Sequence, residues 1–242
     1  MSITGLRAFD EKVLVRGETQ GMDRLGRMGF KEGFPSLYPI LDASFLSRAG
    51  GDRHSHLGQL VAELADAGVR LLQYRNKQGS EAEILADARC IRLAAGSGLT
   101  LILNDWPALA VEADFDGVHV GQQDMSPAAA RAIVGGEKMV GVSTHNEAQL
   151  RAADGEPVDY IAIGPVFSTS SKENPDPVVG LEGVRLARSH TRKPLIAIGG
   201  ITRETAVQVR DAGADSIAVI SAIFALQGNP GKLAKDFIRI FL

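Results

Sequence analysis

The chain of 242 residues contains one cysteine, Cys90, so no intrachain disulfide can form and a zinc site built on thiolates is excluded. A reducing cytoplasm is the expected compartment. Basic excess is missing too: 26 Lys and Arg stand against 29 Asp and Glu, a formal net charge of -3. A surface that binds a nucleic-acid backbone is normally clustered and basic, so no nucleic-acid partner is expected. Long apolar runs are absent, and Met1 to Ser36 shows neither the compact apolar segment nor the small-residue cleavage pattern of a secretory signal. No membrane partner is expected either. What is present is an ordinary globular composition, 45% hydrophobic and 23% charged, with enough apolar material for one large core.

Residues 1–36 mix six Lys/Arg with five Asp/Glu and show little periodicity, which reads as a mobile or loosely packed N-terminal extension. Met22 and Met28 also allow a downstream translation start. From Leu37 the pattern alternates between short β-type runs and amphipathic stretches, the signature of repeated βα units around a parallel sheet. The runs predict strands near 37–41, 69–74, 99–103, 117–120, 139–142, 159–163, 194–198 and 215–220. Between them, Leu57, Leu60, Val61, Leu64 and Ala65, and then Ile84, Ala88, Ile91 and Ala95, recur at helical spacing. Ala67-Gly68 and Ala212-Gly213 each mark a glycine stop before the next strand. Eight strands alternating with helices in about 200 residues predict a single α/β domain, a TIM (β/α)8 barrel over 37–242.

Such a barrel gathers the C-terminal ends of its strands at one rim, and the residues found there are ones a core does not need. Gln73, Arg75 and Lys77 alternate, so on an extended chain they face one side and offer an amide and two cations to an anionic ligand. The plainer reading is a strand running out into a solvated loop. Asn104-Asp105 and Asp124 follow the next two runs, where they either cap helices or face the cavity. Together the two carboxylates could hold Mg²⁺, with substrate phosphate and water completing its shell. Arg75, Lys77 and Lys172 beside them would explain both signs of charge at one rim as a metal-bound diphosphate site.

Lys172 lies in Phe167-Ser168-Thr169-Ser170-Ser171-Lys172, at the start of a long polar stretch from Ser168 to Gly180 that reads as a functional lid or as disorder. Ile198-Gly199-Gly200-Ile201 and Val219-Ile220-Ser221 follow the seventh and eighth runs, where barrels build phosphate sites from backbone N–H groups and a helix N-terminus. His119 reads as a packed, hydrogen-bonded side chain rather than an acid/base, and Tyr74, Trp106 and Phe167 as packing residues.

Taken in order, Gln73-x-Arg75-x-Lys77, Asn104-Asp105, His119-Val120-Gly121-Gln122-x-Asp124, Gly141-Val142-Ser143, Gly164-Pro165-Val166-Phe167-x-Thr169-x-Ser171-Lys172, Ile198-Gly199-Gly200-Ile201 and Ile220-Ser221-Ala222-Ile223 resemble the thiamine-phosphate synthase family. The likeness runs from about Leu37 to Pro230. It implies a transferase that joins 4-amino-5-hydroxymethyl-2-methylpyrimidine diphosphate to 4-methyl-5-(2-phosphooxyethyl)thiazole, releasing diphosphate through a carbocation-like species, with Mg²⁺ as cofactor. By that likeness Asp105 and Asp124 are the metal ligands. Gln73, Arg75, Lys77, Asn104, Ser143 and Lys172 contact the pyrimidine diphosphate, with Arg75, Lys77, Ser143 and Lys172 acting in catalysis. Thr169, Ser171, Gly200, Ile220 and Ser221 cradle the thiazole phosphate. The resemblance also admits a homo-oligomer, although no self-complementary surface is legible.

Three departures stand out. Ser171 replaces the family's threonine and keeps the hydroxyl. Leu41-Asp42-Ala43-Ser44 replaces the usual Thr-Asp ending of the first strand, and Glu173 to Val179 carries more proline than a short family lid. The competing readings are a thiazole tautomerase of the same superfamily and a catalytically silent thiazole-phosphate binder. Neither needs the full set of Gln73, Arg75, Lys77, Asn104, Asp105 and Asp124.

Overall fold

The computed structural model describes residue 30 and residues 33–48, 52–169, 176–225 and 228–241. The chain divides into two compact units, Met1–Phe34 and Pro35–Leu242. In the first, the Phe30 and Phe34 rings lie 5.5 Å apart. Most of the expected mobile extension, with Met22 and Met28, lies outside the described residues.

In the second unit eight parallel strands close into a barrel in sequence order: β1 (Leu37–Asp42), β2 (Leu71–Arg75), β3 (Thr100–Asn104), β4 (Gly117–Val120), β5 (Met139–Thr144), β6 (Tyr160–Ile163), β7 (Leu195–Ile198) and β8 (Ser216–Val219). Closure is direct, with Leu37 of β1 opposite Ile217 of β8. The helices α1 (Arg53–Asp66), α2 (Glu81–Ala95), α3 (Pro107–Glu112), α4 (Pro127–Val134), α5 (Glu147–Gly155), α6 (Gly180–His190) and α7 (Arg203–Asp211) follow the first seven strands, while the short α8 (Ser221–Phe224) and α9 (Pro230–Phe241) follow the last. A 3₁₀ turn, Ala43–Arg48, leads from β1 toward α1.

The strands are almost entirely buried because helices cover one face and the barrel interior takes the other, which is why they read as continuous apolar runs. The α1 and α2 stripes expected from spacing are the buried ones: Leu57, Leu60, Val61 and Leu64, then Ile84, Ala88, Ile91 and Ala95. Gly68 and Gly213 end their helices with positive φ, at 92° and 104°, so that the Gly68 N–H returns to Ala65 O and the Gly213 N–H to Arg210 O. Among the described residues no helix is long and apolar enough to cross a membrane.

The N-terminal end of the barrel repeats one polar device. Asp116, Asp159 and Asp215 stand just before β4, β6 and β8, and each accepts from the first free amide of the preceding strand: Leu101, Val140 and Leu195, at 2.8, 2.7 and 2.8 Å. Each same carboxylate oxygen also takes an arginine from the helix that leads into that preceding strand, Arg92 of α2 at 3.0 Å, Arg131 of α4 at 2.5 Å and Arg188 of α6 at 2.7 Å. Carboxylate, amide and guanidinium satisfy one another there.

Candidate active site

The opposite, C-terminal end opens into a cavity of about 1020 Å³. Its floor mixes small apolar side chains, Ile40, Ala162, Ile196 and Ala218, with Tyr38, Gln73 and His119. Its rim is built from the loops that follow the strands.

β2 ends at Arg75, which pairs directly with Asp42 at the end of the adjacent β1. Burial works against ionisation of Asp42, but hydrogen bonding from Ser44 and the Arg75 charge outweigh it and hold the carboxyl below its ordinary range. Lys77 lies beyond the strand, so the expected alternation of three side chains stops at Arg75. A turn delivers Lys77 instead: Asn76 Oδ1 accepts from Gln78 N at 3.2 Å and Gly79 N at 2.8 Å, while Asn76 Nδ2 donates to Tyr74. The Tyr74 ring packs in the core as expected, and its hydroxyl donates to buried Asp87.

The Lys77 ammonium contacts Asp105 and lies 3.5 Å from Asp124 Oδ1. Asp105 has a positive φ of 66°, its amide donates to His119 O at 2.8 Å, and its Oδ2 accepts from Asn104 Nδ2 at 2.5 Å. Asp124 Oδ2 accepts from Gly121 N at 2.9 Å. The helix-cap readings of these acids are thereby removed. Trp106 occupies the cap of α3 with no side-chain bond, and Ser126 caps α4 by accepting from Ala129 N at 3.3 Å. Burial, with Asp124 close by, pulls Asp105 above its ordinary value despite Lys77. Asp124 moves the other way: burial opposes ionisation, but the bond with Asp105 and the Lys77 charge prevail. Two acids at this spacing share one negative charge more easily than they carry two.

Ser143 lies within β5 rather than beyond it and lines the cavity, its carbonyl held by Gln122 Nε2 at 2.7 Å. On the far side, Gly164, Ser168 and Thr169 line the wall after β6, and Phe167 N donates to Gly199 O at 3.0 Å. Gly199 and Gly200 take positive φ values of 100° and 63°, and a Cβ at Gly200 would strike Ser168 O and the Phe167 side chain. Ile220 and Ser221 complete this wall at the start of α8. Ser171 and Lys172 lie outside the described residues. The structure therefore brings Gln73, Arg75, Lys77, Asn104, Asp105, Asp124, Ser143, Thr169, Gly200, Ile220 and Ser221 around one cavity.

Several residues in and around the cavity escaped sequence reasoning. Asp42 was legible only as an unassigned corner. Arg203 at the start of α7 also lines the cavity. Tyr38 and Tyr160 each sit on a barrel strand fully enclosed, and a buried phenol needs a hydrogen-bond partner, the one signal that could have flagged them.

Residues 37–223 match the family model described as thiamine monophosphate synthase. The chain belongs to that family. A thiamine-phosphate synthase from Koribacter versatilis is 52% identical over 206 residues, covering 85% of this chain and 95% of that protein. One from Chloroflexus aurantiacus is 40% identical over 190 residues, covering 78% and 85%. The structure of a thiamine phosphate pyrophosphorylase from Pyrococcus furiosus superposes with a TM-score of 0.74 at 27% identity, over 86% of this chain and 95% of that one. The family is one of transferases, and its barrel is the fold found here. More distant barrels such as 3-hexulose-6-phosphate synthase, at 18% identity and a TM-score of 0.59, share the fold alone.

Proposed function

We propose that the chain condenses 4-amino-5-hydroxymethyl-2-methylpyrimidine diphosphate with 4-methyl-5-(2-phosphooxyethyl)thiazole, yielding thiamine phosphate and diphosphate. The observation that carries this reading is the Lys77 ammonium between Asp105 and Asp124, with Arg75 beside it, across a cavity from a wall of main chain turning at Gly199-Gly200. Charged side chains suit a diphosphate and its cation, while glycine main chain suits the single phosphate of the second substrate.

The bond broken joins the pyrimidine methylene carbon to the diphosphate oxygen, and the bond formed joins that carbon to the thiazole nitrogen. No protein nucleophile is required. Arg75 and Lys77, with Lys172 from the adjoining segment, bind the oxygens on which negative charge grows as the carbon departs. Gln73, Asn104 and Ser143 orient the pyrimidine, and Thr169, Ser171, Gly200, Ile220 and Ser221 hold the thiazole phosphate in line. The apolar floor limits access of water to the carbocation-like centre.

Among the described residues no three His, Cys, Asp or Glu side chains form a metal cluster. The paired oxygens of Asp105 and Asp124 nevertheless fit Mg²⁺, a hard cation commonly bound by one or two carboxylates and completed by substrate phosphate and water. An ammonium already bridges them, and Asp105 is held above its ordinary value partly by the neighbouring acid, so the pair has room for added positive charge. When bound there, Mg²⁺ supplies charge that stabilises the leaving diphosphate. The reading locates activity in 37–242, with 1–36 as an extension, and places the enzyme in the cytoplasm, consistent with its single cysteine. It leaves room for a homo-oligomer.

The test is a coupled assay with both substrates, with and without Mg²⁺. Metal-dependent appearance of thiamine phosphate is the expected result. Tight product binding without turnover would instead support the silent binder, and conversion of thiazole isomers without diphosphate release the tautomerase.

A further inference from the structure

Gln73 and Arg75 line the cavity, so alternation along β2 turns Tyr74 to the opposite face of the barrel wall, toward α1 and α2. What its hydroxyl meets there is charged. It donates to Oδ2 of Asp87, a residue of α2 that is 1% exposed. Arg53, the first residue of α1, donates to the same carboxylate from Nε at 3.1 Å and from Nη2 at 2.6 Å, and His54 Nε2 lies 3.2 Å from Oδ1. None of these four residues lines the cavity.

A buried ion pair is weak evidence for stability, because apolar residues of similar volume often serve as well in its place. The role of Asp87 lies in what it holds. Burial, and then the carboxylate beside it, push the Tyr74 phenol well above its ordinary value, so the hydroxyl stays protonated and its one hydrogen goes to Asp87. The phenol oxygen is left to accept, and Asn76 Nδ2 donates to it at 3.3 Å. Main chain sets the orientation of that amide: Asn76 Oδ1 accepts from Gln78 N at 3.2 Å and from Gly79 N at 2.8 Å, two groups that can only donate. Gly79 belongs to the device, since a Cβ there would strike the Asn76 amide.

Lys77 rides on this turn. It stands two residues past the end of β2, beyond the strand ladder, and its ammonium sits on a flexible four-carbon stem. That ammonium nevertheless contacts Asp105 and lies 3.5 Å from Asp124 Oδ1. Arg75 is placed differently, as the last residue of β2 with its guanidinium held by Asp42. The sheet fixes Arg75, whereas the Asn76 turn fixes Lys77.

We propose that Tyr74, anchored by Asp87 on the far side of the barrel wall from the cavity, is a positioning residue that holds the turn carrying Lys77 and so sets where that ammonium meets the diphosphate. This rests on the reading that Lys77 binds the diphosphate. The Tyr74 ring packs in the core, but its hydroxyl serves the site.

The experiment has two parts. The first follows the Gly79 amide by hydrogen exchange in the ligand-free protein and in Tyr74→Phe, which removes one hydroxyl and leaves Arg53 and Asp87 in place. Exchange at Gly79 is expected to quicken about tenfold while the β2 and α2 amides keep their rates. An unchanged Gly79 rate overturns the proposal, and so does acceleration spread through β2 and α2, which would mark Tyr74 as packing alone. The second part is kinetic. Tyr74→Phe should lower kcat/KM for the pyrimidine diphosphate about tenfold when Lys77 is present and less than about twofold in a Lys77→Ala background, because the hydroxyl acts through the ammonium. Gly79→Ala, which displaces the Asn76 side chain without altering Tyr74 or Asp87, should repeat that pattern, and it carries the test should Tyr74→Phe fail to fold. Equal losses in both backgrounds, or wild-type rates in both variants, would remove Tyr74 from the positioning of Lys77. Should the unaltered protein form no thiamine phosphate, the functional reading fails, and the exchange measurement still decides whether Tyr74 holds the turn.

Discussion

The two ends of this barrel use the same residue types for opposite purposes. At the N-terminal end Asp116, Asp159 and Asp215 each hold one strand amide and one arginine, closing three small circuits. At the C-terminal end Asp42 pairs with Arg75, while Arg75, Lys77, Asp105 and Asp124 converge on a cavity, where the two acids crowd against one ammonium. Charge by itself does not mark a site. A carboxylate that satisfies a strand amide contributes to stability, whereas one held above its ordinary value beside a second acid is poised for a ligand. In this fold chemistry and stability are expected at opposite rims.

The sharpest way to break the comparison is to neutralise acids at each end. Asp105→Asn or Asp124→Asn is expected to lower turnover about 10²- to 10³-fold, the scale of one lost electrostatic contact at a reacting centre, with little change in unfolding free energy. Steady-state rates at limiting Mg²⁺ alongside urea unfolding check this, and wild-type rates in either variant would remove that acid from the metal assignment. Asp159→Ala should do the reverse. It strands the largely buried Arg131 and the Val140 amide, so about 3 to 5 kcal/mol of stability is lost while kcat of the folded fraction stays near wild type. Asp116 and Asp215 are each 44% exposed and should cost less when removed.

Acid titration probes the layer between the two ends. Burial pushes the His119 imidazole down to about 4, against about 6.5 in an unfolded chain. The unfolded state therefore binds the extra proton first as pH falls. His119 contributes its full share of stability above about pH 6.5 and loses it progressively toward pH 4, approaching about 3 kcal/mol in all. Unfolding free energies measured from pH 7 to 4 should decline along this window, and His119→Gln should flatten that part of the curve. An unchanged slope in the variant would assign the acid sensitivity to the carboxylates at the rims.

Much of this architecture could be read before any coordinates, and the parts that could not have a common cause. The eight strands were legible because burial on both faces leaves continuous apolar runs, and their ends shifted by no more than two residues, as with Ser143 and Thr144 inside β5. The rim candidates were legible because polar residues end those runs. Whether Asp105 and Asp124 cap helices or face each other was not, since their meeting depends on the closed order of the strands. The three Asp–Arg circuits were invisible for the same reason. Tyr38 and Tyr160 lie 122 residues apart, and in an apolar strand each reads as packing until the barrel brings the hydroxyls together. Local pattern reveals elements, whereas partners distant in sequence wait for topology.

The smallest expected effect separates two residues that local pattern could not tell apart. Asp124 and Ser126 both precede α4 and both are residue types that cap helices. In the structure Ser126 accepts the α4 amide, whereas Asp124 turns back to Gly121 and Lys77. Ser126→Ala should therefore cost about 1 kcal/mol of stability, the usual value of an N-cap, and leave kcat/KM within about twofold. A shift of the urea midpoint at unchanged slope checks the first part. If Ser126→Ala instead impaired turnover as severely as Asp124→Asn, the loop would act as one catalytic unit, and the contrast between satisfied and poised polar groups would fail at the place where the two lie closest in sequence.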